Sequence, residues 1–314
     1  LYDTSQVRPE PLVGREYRIG LPGRGTPSGD RSGEIDLTAV AGRIAGLDAE
    51  AVAVATLFGF VDPSWERRIS RGLAEALGVP VSAAADVVAE FREFERTSTT
   101  VINAYLLPAV ERYLSSLTSR AEAAGVEGTV AVMRSSGGLI AAGEAARVPA
   151  AILLSGPAGG VVATTALGNA LGRDHLVSFD MGGTSTDVCR IDYGRPEVTY
   201  ERSIEGLPCR MPAVAIHTVG AGGGSVGWVD PGGALRVGPR SAGSIPGPAC
   251  YGRGGREPAV TDANLVLGRI SPAARLAGTM TVDRGASEVA LADIGRGVGM
   301  DAAKTALGMV EVVE

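Results

Sequence analysis

Cysteine is scarce in this sequence, and its scarcity argues against two kinds of stabilised fold. Cys189, Cys209 and Cys250 are the three cysteines among 314 residues. They are too few and too scattered for a disulfide framework or a CxxC zinc site. We therefore interpret them as reduced thiols of a cytoplasmic protein, because disulfides persist mainly in oxidising compartments.

Long apolar runs, basic clusters and paired histidines are also missing. No apolar stretch reaches the roughly 18 residues that a membrane-spanning helix needs. The net charge is −6 without any basic cluster, which argues against a nucleic-acid or membrane-surface binder. The two histidines, His175 and His217, form no HxxxH pair, so we do not expect a dedicated transition-metal site.

The two ends of the sequence lack the features of natural chain termini. Leu1 is not methionine, and the residues that follow it have neither the charged nor the apolar region of a signal peptide. The last residues, Val310–Glu314, continue a helical pattern. We therefore expect a fragment of a longer protein.

Glycine, in contrast, is abundant. The sequence has 45 glycines, about twice the usual proportion. Most of the excess lies in clusters between residues 137 and 255, which favours ligand-facing loops over a flexible linker. The length suggests about two domains, with a boundary near 95–100 or near 172.

The order of apolar patterns in the first part of the chain predicts an α/β layer. A capped helix (36–49), a strand (51–58), an amphipathic helix (63–77) and a strand (80–83) follow one another, as in α/β folds. A long helix over 98–125 should be kinked or restarted by Pro108. The remaining predictions are strands at 129–133 and 150–154, a helix at 161–171, short strands over 188–229, an irregular stretch at 230–257, and helices near 261–268, 284–293 and 301–312.

The most informative motif is Asp180-Met-Gly-Gly-Thr-Ser-Thr-Asp187, which follows an apolar strand. Adjacent glycines allow close approach of a ligand and positive φ. The N–H groups of Gly182 and Gly183, with the hydroxyls of Thr184, Ser185 and Thr186, could surround a phosphate. A flanking carboxylate suits Mg²⁺ or an oriented water better than an anion. The motif predicts a nucleotide-phosphate hairpin, and the alternative is an ordinary Gly-Gly turn with solvated aspartates.

Two further glycine-rich stretches are predicted to lie between a strand and a helix. Ser155–Gly160 contains Gly156, Gly159 and Gly160 and suits an anion, because free N–H groups and the helix dipole meet there. Close packing of the strand on the helix is the alternative explanation. Ser135–Gly138 has a weaker claim to the same role. Neither is a Walker loop, since no Gly-Lys-Ser/Thr follows.

Several single residues have competing interpretations, and one of them, His217, begins a third glycine-rich stretch, His217–Ser225. His217 is a candidate acid/base, ligand-holding or metal-binding residue, but we favour a buried histidine that fixes the loop. Cys250 is a candidate nucleophile, although a small buried thiol fits better. Asp262 has the position of a residue in the first turn of a helix. Arg92–Arg96 is predicted to be a charged surface stretch.

Taken together, several motifs resemble those of the hydantoinase A/5-oxoprolinase family, which includes N-methylhydantoinase and a subunit of acetone carboxylase. The resemblance covers nearly the whole chain, and its motifs occur in the family's order. The stretches that carry it are Glu95–Tyr105, Ser135–Leu139, Ser155–Val161, Asp180–Asp187, His217–Ser225, Gly238–Gly243, Pro246–Gly252 and Val260–Arg269.

The resemblance implies an α/β fold of the actin-like or sugar-kinase-like ATPase type, with RNase H-like layers. Residues 1–97 would be the last part of an N-terminal α/β domain. Residues 98–314 would be the hydantoinase A-type domain, with a helical insert and the phosphate hairpin. The family's earlier Asp-Gly-Gly-Thr hairpin and its later adenosine loop are not found in the sequence, so part of the nucleotide site should be missing.

The activity implied by the resemblance is the ATP-driven opening of a cyclic amide such as a hydantoin or 5-oxoproline. Mg²⁺ and ATP would be the cofactors, and a hydantoinase B-type subunit or domain would be the partner in an oligomer. The alternatives are a subunit of an ATP-dependent ketone carboxylase, a small-molecule kinase, and an inert module that binds the rest of its enzyme.

The resemblance also implies roles for individual residues. Asp180 would act through Mg²⁺ or a water, Asp187 would orient the hairpin hydroxyls, and any function of Asp262 depends on the resemblance alone. Gly182, Gly183 and Thr184 would contact phosphate. The stretch 155–160 and the loop with Gly220, Gly222, Gly223 and Gly224 would line the cleft.

Overall fold

The computed structural model describes residues 9–276 and 278–314, so part of the predicted irregular stretch 1–33 lies outside the described residues. The chain divides into two compact units. The first runs through Gly172 and includes Gly194–Ala215, and the second comprises Arg173–Tyr193 and Ile216–Glu314. The domain boundary predicted at 97/98 falls inside a helix and remains a prediction.

Helices account for much of both units. No helix of the described residues is long and apolar enough to cross a bilayer. Short 3₁₀ turns lie at Arg15–Tyr17, Pro149–Ile152, Ala249–Tyr251 and Arg296–Val298. The α-helices of the described residues are α1 (Leu37–Ala45), α2 (Pro63–Leu77), α3 (Ala84–Val87), α4 (Glu93–Ala123), α5 (Ala142–Arg147), α6 (Ser155–Ala170), α7 (Val260–Val266), α8 (Arg284–Gly295) and α9 (Ala302–Val313).

The strands are mostly short. Those of the first unit are β1 (Arg24–Gly25), β2 (Arg31–Ser32), β3 (Val52–Val54), β4 (Val81–Ala83), β5 (Ala131–Met133), β6 (Leu139–Ala141) and, after the excursion into the second unit, β9 (Arg195–Pro196), β10 (Val198–Thr199), β11 (Arg202–Ile204), β12 (Leu207–Cys209) and β13 (Ala213–Val214). Those of the second unit are β7 (Leu176–Met181), β8 (Thr186–Asp192), β14 (His217–Val219), β15 (Ser225–Val229), β16 (Leu235–Ser241), β17 (Arg275–Leu276) and β18 (Met280–Thr281).

The predicted α/β layer is confirmed in the first unit. Strands β3 and β4 pair in parallel, and α2 connects them as a crossover. The helix begins after Asp62, whose carboxylate accepts a hydrogen bond from the N–H of Ser64 at 3.0 Å. It ends at Gly78, whose φ of 68° suits glycine. A buried core of Val40, Ala41, Ile44, Val54, Ile69 and Leu73 joins α1, β3 and α2.

Helix α4 corrects two of the sequence expectations. It continues through Pro108 as one helix, so the expected restart at this residue is wrong. The predicted surface position of Arg96 is wrong, because its side chain is fully buried and pairs with the equally buried Glu66 at 2.5 Å. The carbonyl oxygens of Val88 and Thr56 accept further hydrogen bonds from the guanidinium. These partners explain how the charge is tolerated in the interior.

Two other expectations fail because local structure differs from the apolar pattern. Residues 150–154 are not a strand, since Pro149–Ile152 forms a 3₁₀ turn with buried alanines. The stretch 230–257 is not irregular throughout, since β16 pairs antiparallel with β15. A turn at Asp230 connects these two strands, and its carboxylate accepts hydrogen bonds from the N–H groups of Gly232 and Ala234.

The second unit combines antiparallel sheets with a helical core. Strand β8 lies between β7 and β14. Buried residues of α7, α8 and α9, including Leu291 and Met309, pack into one cluster. This core includes Ala263 and Val266 of α7, a short helix that contacts the glycine-rich loop described below. The three helices lie within one or two residues of their predicted positions at 261–268, 284–293 and 301–312.

Candidate functional site

The Asp180–Asp187 motif forms a β-hairpin in the second unit. Strands β7 and β8 pair antiparallel, with Asp180 opposite Asp187 and Met181 opposite Thr186. Residues 182–185 form the loop, which is closed by a hydrogen bond from the N–H of Gly182 to the carbonyl of Ser185 at 2.9 Å. Successive side chains of both strands alternate between the two faces of the sheet, and one face is buried at Ser178, Cys189 and Ile191.

The two carboxylates of the hairpin project to the same side, because directly paired residues share a face of the sheet. Asp180 is exposed and Asp187 is half-buried. The hydroxyl of Thr218, which pairs with Asp187 from β14, donates to the Asp187 carboxylate at 2.6 Å. Like charges in directly opposite positions are destabilising. A cation between them would relieve this repulsion.

The loop presents backbone donors next to these acids. Within the described part of the chain, the N–H groups of Gly183, Thr184 and Ser185 donate no hydrogen bond. Gly183 and Thr184 are also exposed. A Cβ added to Gly183 would meet no atom within 4 Å, so the fold does not require glycine there. Three consecutive unpaired N–H groups are suited to an anion.

The glycine-rich loop Gly220–Ser225 packs directly on the hairpin loop. The N–H of Gly223 donates to the Gly182 carbonyl at 2.9 Å, and that of Gly224 donates to the Gly183 carbonyl at 2.6 Å. The N–H of Gly222 bonds to the hydroxyl of Ser225. A Cβ on Gly222 would lie 2.8 Å from backbone atoms of Gly182, Gly183 and Ser185. These glycines therefore let two backbones touch.

Two of the residues predicted to contact phosphate, Gly182 and Thr186, already use a donor group in a hydrogen bond within the fold. The N–H of Gly182 closes the hairpin loop. Thr186 is buried, and its hydroxyl donates to the Ala221 carbonyl at 2.6 Å. Gly220, in contrast, is exposed and has open space around it. The residues with free donors are thus a subset of the predicted ones, and the predicted contacts remain predictions.

The stretch Ser155–Gly160 lies in the first unit and is not a loop. It forms the first turns of α6, so the helix starts six residues earlier than the sequence suggested. Within the described residues, no side chain caps this helix at Leu154. Gly156 and Gly160 are exposed, and a Cβ on either would meet nothing within 4 Å. Contacts inside the first unit therefore do not support the alternative explanation, in which these glycines allow close packing.

The stretch Ser135–Gly138 also differs from the prediction. It is the turn of the β5–β6 hairpin rather than a connection from strand to helix. The N–H of Arg134 bonds to the Gly138 carbonyl at 2.7 Å, and Gly137 has a φ of 89°. Ser135 is buried and donates to the carbonyl of Leu153 at 2.5 Å. The turn itself requires glycine at position 137.

The two histidines are both exposed in the second unit. His217 begins the strand β14 and is exposed, so the favoured interpretation as a buried histidine is wrong. Its predicted catalytic or metal-binding role remains a prediction. His175 contacts the Asp192 carboxylate at 3.0 Å and the ring of Tyr193. These contacts attach the His175 ring to the end of β8.

Asp262 is fully buried at the N-terminus of α7. Its carboxylate accepts hydrogen bonds from the N–H groups of Ala249, Cys250 and Ala259 and from the hydroxyl of Ser287. The side chain thus fixes the Pro246–Gly252 segment to the helix. Burial, together with the Asp262 carboxylate, raises the pKa of the Cys250 thiol to about 12. The thiol is therefore neutral at physiological pH, in agreement with a structural cysteine.

The sequence did not reveal the residues that support the hairpin from outside the motif. Thr218 and Thr261 are the clearest cases, since both hydroxyls contact the hairpin or its neighbouring loop. The only available signal was their position inside two of the motif stretches, 217–225 and 260–269. For Arg96 and Glu66 there was no signal, because their pairing joins residues that are 30 positions apart.

Among the described residues, no group of three or more His, Cys, Asp or Glu side chains is placed to bind a metal. Asp180 and Asp187 alone offer facing carboxylates at the hairpin. Mg²⁺ fits such a pair, because it is usually bound by one or two carboxylates together with waters and substrate phosphates. The residues present therefore suit a cation that arrives with a phosphate ligand.

Comparison with known proteins assigns the family. The hydantoinase/oxoprolinase family model matches residues 96–314, and the chain belongs to this family. The caprolactamase subunit alpha of Pseudomonas jessenii is 35% identical over 99% of this chain and 46% of its own length. The 5-oxoprolinase of Saccharomyces cerevisiae is 38% identical over 71% of this chain and 17% of its own length.

Solved structures show the same fold. The ATP-dependent caprolactamase from Pseudomonas jessenii matches with a TM-score of 0.84 and 34% identity, covering 100% of this chain and 46% of that one. Nucleotide-free acetone carboxylase matches with a TM-score of 0.79 and 29% identity, covering 99% and 45%. The predicted α/β fold of the actin-like ATPase type is confirmed. The chain spans less than half the length of these relatives.

Proposed function

We propose that the complete protein is an ATP-dependent hydrolase that opens a cyclic amide, and that this chain supplies its phosphate-holding hairpin. The observation that carries the proposal is the combination of facing carboxylates, Asp180 and Asp187, with the unpaired N–H groups of Gly183–Ser185. The similarity to caprolactamase and 5-oxoprolinase supports it. A caprolactam-like or 5-oxoproline-like ring is the proposed class of substrate.

The hairpin residues have distinct roles in this proposal. The N–H groups of Gly183, Thr184 and Ser185 hold phosphate oxygens, while Asp180 holds Mg²⁺ directly or through water. Asp187 is oriented by Thr218 and balances the same cation. Mg²⁺, when bound, would neutralise negative charge on the phosphates. Gly182 and Thr186 keep the loop in shape through their internal bonds.

An amide reacts poorly with water, and phosphorylation of its oxygen by ATP would activate it. The amide oxygen attacks the terminal phosphorus of ATP, the bond from this phosphorus to the bridging oxygen breaks, and ADP leaves. Water adds to the activated carbon, the C–N bond breaks, and the amine takes a proton. The remaining acyl phosphate is cleaved by a second water into carboxylate and phosphate. The exposed N–H groups of the loop would stabilise the charge on the transferred group.

The predicted partner and cofactors are part of the same proposal. The relative in Pseudomonas jessenii is named as a subunit, which supports a second, hydantoinase B-type subunit or domain here. ATP dependence appears in the descriptions of both structural relatives. A cytoplasmic location remains the expectation from the reduced cysteines.

A ketone carboxylase subunit is the competing function, since acetone carboxylase shares the fold. ADP release should be measured with the complete enzyme and its partner subunit on 5-oxoproline, caprolactam and hydantoin, and on acetone with bicarbonate. Ring opening supports the hydrolase. Formation of a β-keto acid supports the carboxylase, and a stable phosphorylated product supports a kinase.

The site itself is tested by the double variant Asp180→Asn, Asp187→Asn. Both changes keep the shape but remove the charges, and we expect ADP formation to fall at least about 100-fold, or roughly 2.7 kcal/mol in barrier. Asp192→Asn is the matched control, because it lies on the same strand but pairs with His175 and should retain activity. ADP release at the parental rate by the double variant would refute the proposal.

A further inference from the structure

A buried threonine outside the recognised hairpin is connected to its loop by hydrogen bonds. The Gly223 carbonyl accepts from both the N–H of Thr261, at 2.8 Å, and its hydroxyl, at 2.7 Å. The N–H of the same Gly223 donates to the Gly182 carbonyl at 2.9 Å. A single residue, Gly223, thus separates Thr261 from the loop that presents the unpaired N–H groups.

The position of Thr261 is itself fixed. Asp262, the next residue, is fully buried and accepts four hydrogen bonds from three backbone N–H groups and from Ser287. Thr261 is 9% exposed. The N-terminus of α7 is therefore held from several directions, and the threonine transmits this fixed position to Gly223.

The contact between the two loops leaves little freedom for alternative arrangements. A Cβ on Gly223 would lie 3.0 Å from the Thr261 hydroxyl oxygen, and one on Gly224 would lie 2.8 Å from the Gly183 carbonyl oxygen. A shift of Gly223 therefore changes the position of Gly182 and Gly183. Donors that bind phosphate must be held to within about 0.5 Å to be effective.

We propose that Thr261 is a positioning residue of the phosphate site. Its hydroxyl fixes Gly223, which in turn fixes the hairpin loop so that the N–H groups of Gly183–Ser185 converge on one phosphate. This inference rests on the proposed function. It assigns to Thr261 an effect on ATP binding rather than on the chemical step, because Thr261 touches only the supporting loop.

The test compares Thr261→Val with Thr261→Ser in the complete enzyme. Valine keeps the branched shape and the backbone N–H but removes the hydroxyl, whereas serine keeps it. We expect the KM for ATP to rise about three- to tenfold in T261V and to stay within about twofold of the parent in T261S, as follows from the loss of one neutral hydrogen bond.

Thr305→Val is the matched control for simple destabilisation. Thr305 is also buried, and its hydroxyl donates to the carbonyl of Asp301, the residue that caps α9. T305V should lower the melting temperature but leave the KM for ATP unchanged. A T261V enzyme that loses stability like T305V while its KM for ATP stays parental would overturn the inference.

The aspartate double variant and T261V together distinguish this inference from the proposed function. If the Asp180→Asn, Asp187→Asn enzyme is inactive and T261V has a parental KM for ATP, only the role of Thr261 is rejected. If the double variant is fully active, the proposed function itself is rejected.

Discussion

Two glycine-rich segments of this chain look alike in sequence but use glycine differently in the structure. In the second unit, Gly222 and Gly224 face backbone atoms of the hairpin loop at distances that exclude a side chain. In the first unit, Gly156 and Gly160 occupy the start of α6 with open space around them. The first pair is required by packing, whereas the second is not required by any contact inside its unit.

The difference shows how a structural glycine can be separated from a ligand-facing one. Glycine in a helix costs up to about 1 kcal/mol relative to alanine, so open helical glycines need another explanation. Close approach of the protein backbone to a ligand such as phosphate is one such explanation. Gly183 resembles the open class, although it lies beside the packed loop. Alanine substitution should therefore distinguish the two classes.

The largest effect is expected for Gly222→Ala. The new Cβ would meet three backbone atoms at 2.8 Å, and backbone cannot move aside as a side chain can. We expect a loss of about 3 kcal/mol in the free energy of unfolding, at the upper end of overpacking costs, measured by urea denaturation. Gly220→Ala, with no atom near its Cβ, is the control and should change it by less than about 0.5 kcal/mol.

Gly183→Ala should have an intermediate effect, and on binding rather than on stability. No atom of the chain lies near its Cβ position, so the unfolding free energy should change by less than about 0.5 kcal/mol. A methyl group beside the loop N–H groups should weaken Mg-ATP binding about tenfold, or roughly 1.4 kcal/mol. Isothermal titration measures this, with Gly20→Ala as an exposed, open control. Unchanged affinity would contradict a contact between Gly183 and phosphate.

The smallest effect is expected for Gly156→Ala in α6. Alanine should raise the unfolding free energy by about 0.5 kcal/mol, because it restricts the unfolded chain. Gly42→Ala, an open glycine inside α1, should give a similar gain. If α6 contacts phosphate, only Gly156→Ala should also weaken ATP binding. Equal ATP affinities in the two variants would contradict a role for this helix end.

Local sequence patterns correctly predicted the helices and hairpins whose caps, turns and apolar spacing all lie within a few neighbouring residues. Helix α2 has an aspartate cap, a proline at its first position, an amphipathic stripe and a terminal glycine, and its bounds match the prediction of 63–77. The Asp180–Asp187 hairpin likewise carries its Gly-Gly turn and both strand ends in one short segment. Such elements depend on neighbouring residues, so sequence reasoning finds them.

Other expectations failed where distant residues decide the outcome. Arg96 lies in a charged stretch, yet Glu66 from α2 makes its burial possible. Residues 150–154 are apolar enough for a strand, but the side-chain amide oxygen of Asn103 accepts a hydrogen bond from the N–H of Ala150, which lies in a 3₁₀ turn. His217 follows an apolar run, yet it lies exposed in β14. Partners far along the chain cannot be identified from a local pattern.

The sequence by itself determined the family, the α/β class and the position of the Asp180–Asp187 hairpin, because these depend on short motifs with their own turn and cap chemistry. Only the tertiary structure decided which groups of that hairpin remain free. The N–H of Gly182 and the hydroxyl of Thr186 are engaged within the unit, whereas the N–H groups of Gly183–Ser185 donate to no described residue. Hydrogen-bond partners are assigned by packing in three dimensions: residues 221 and 223 reach the hairpin, and residue 261 reaches residue 223, only when the chain has folded.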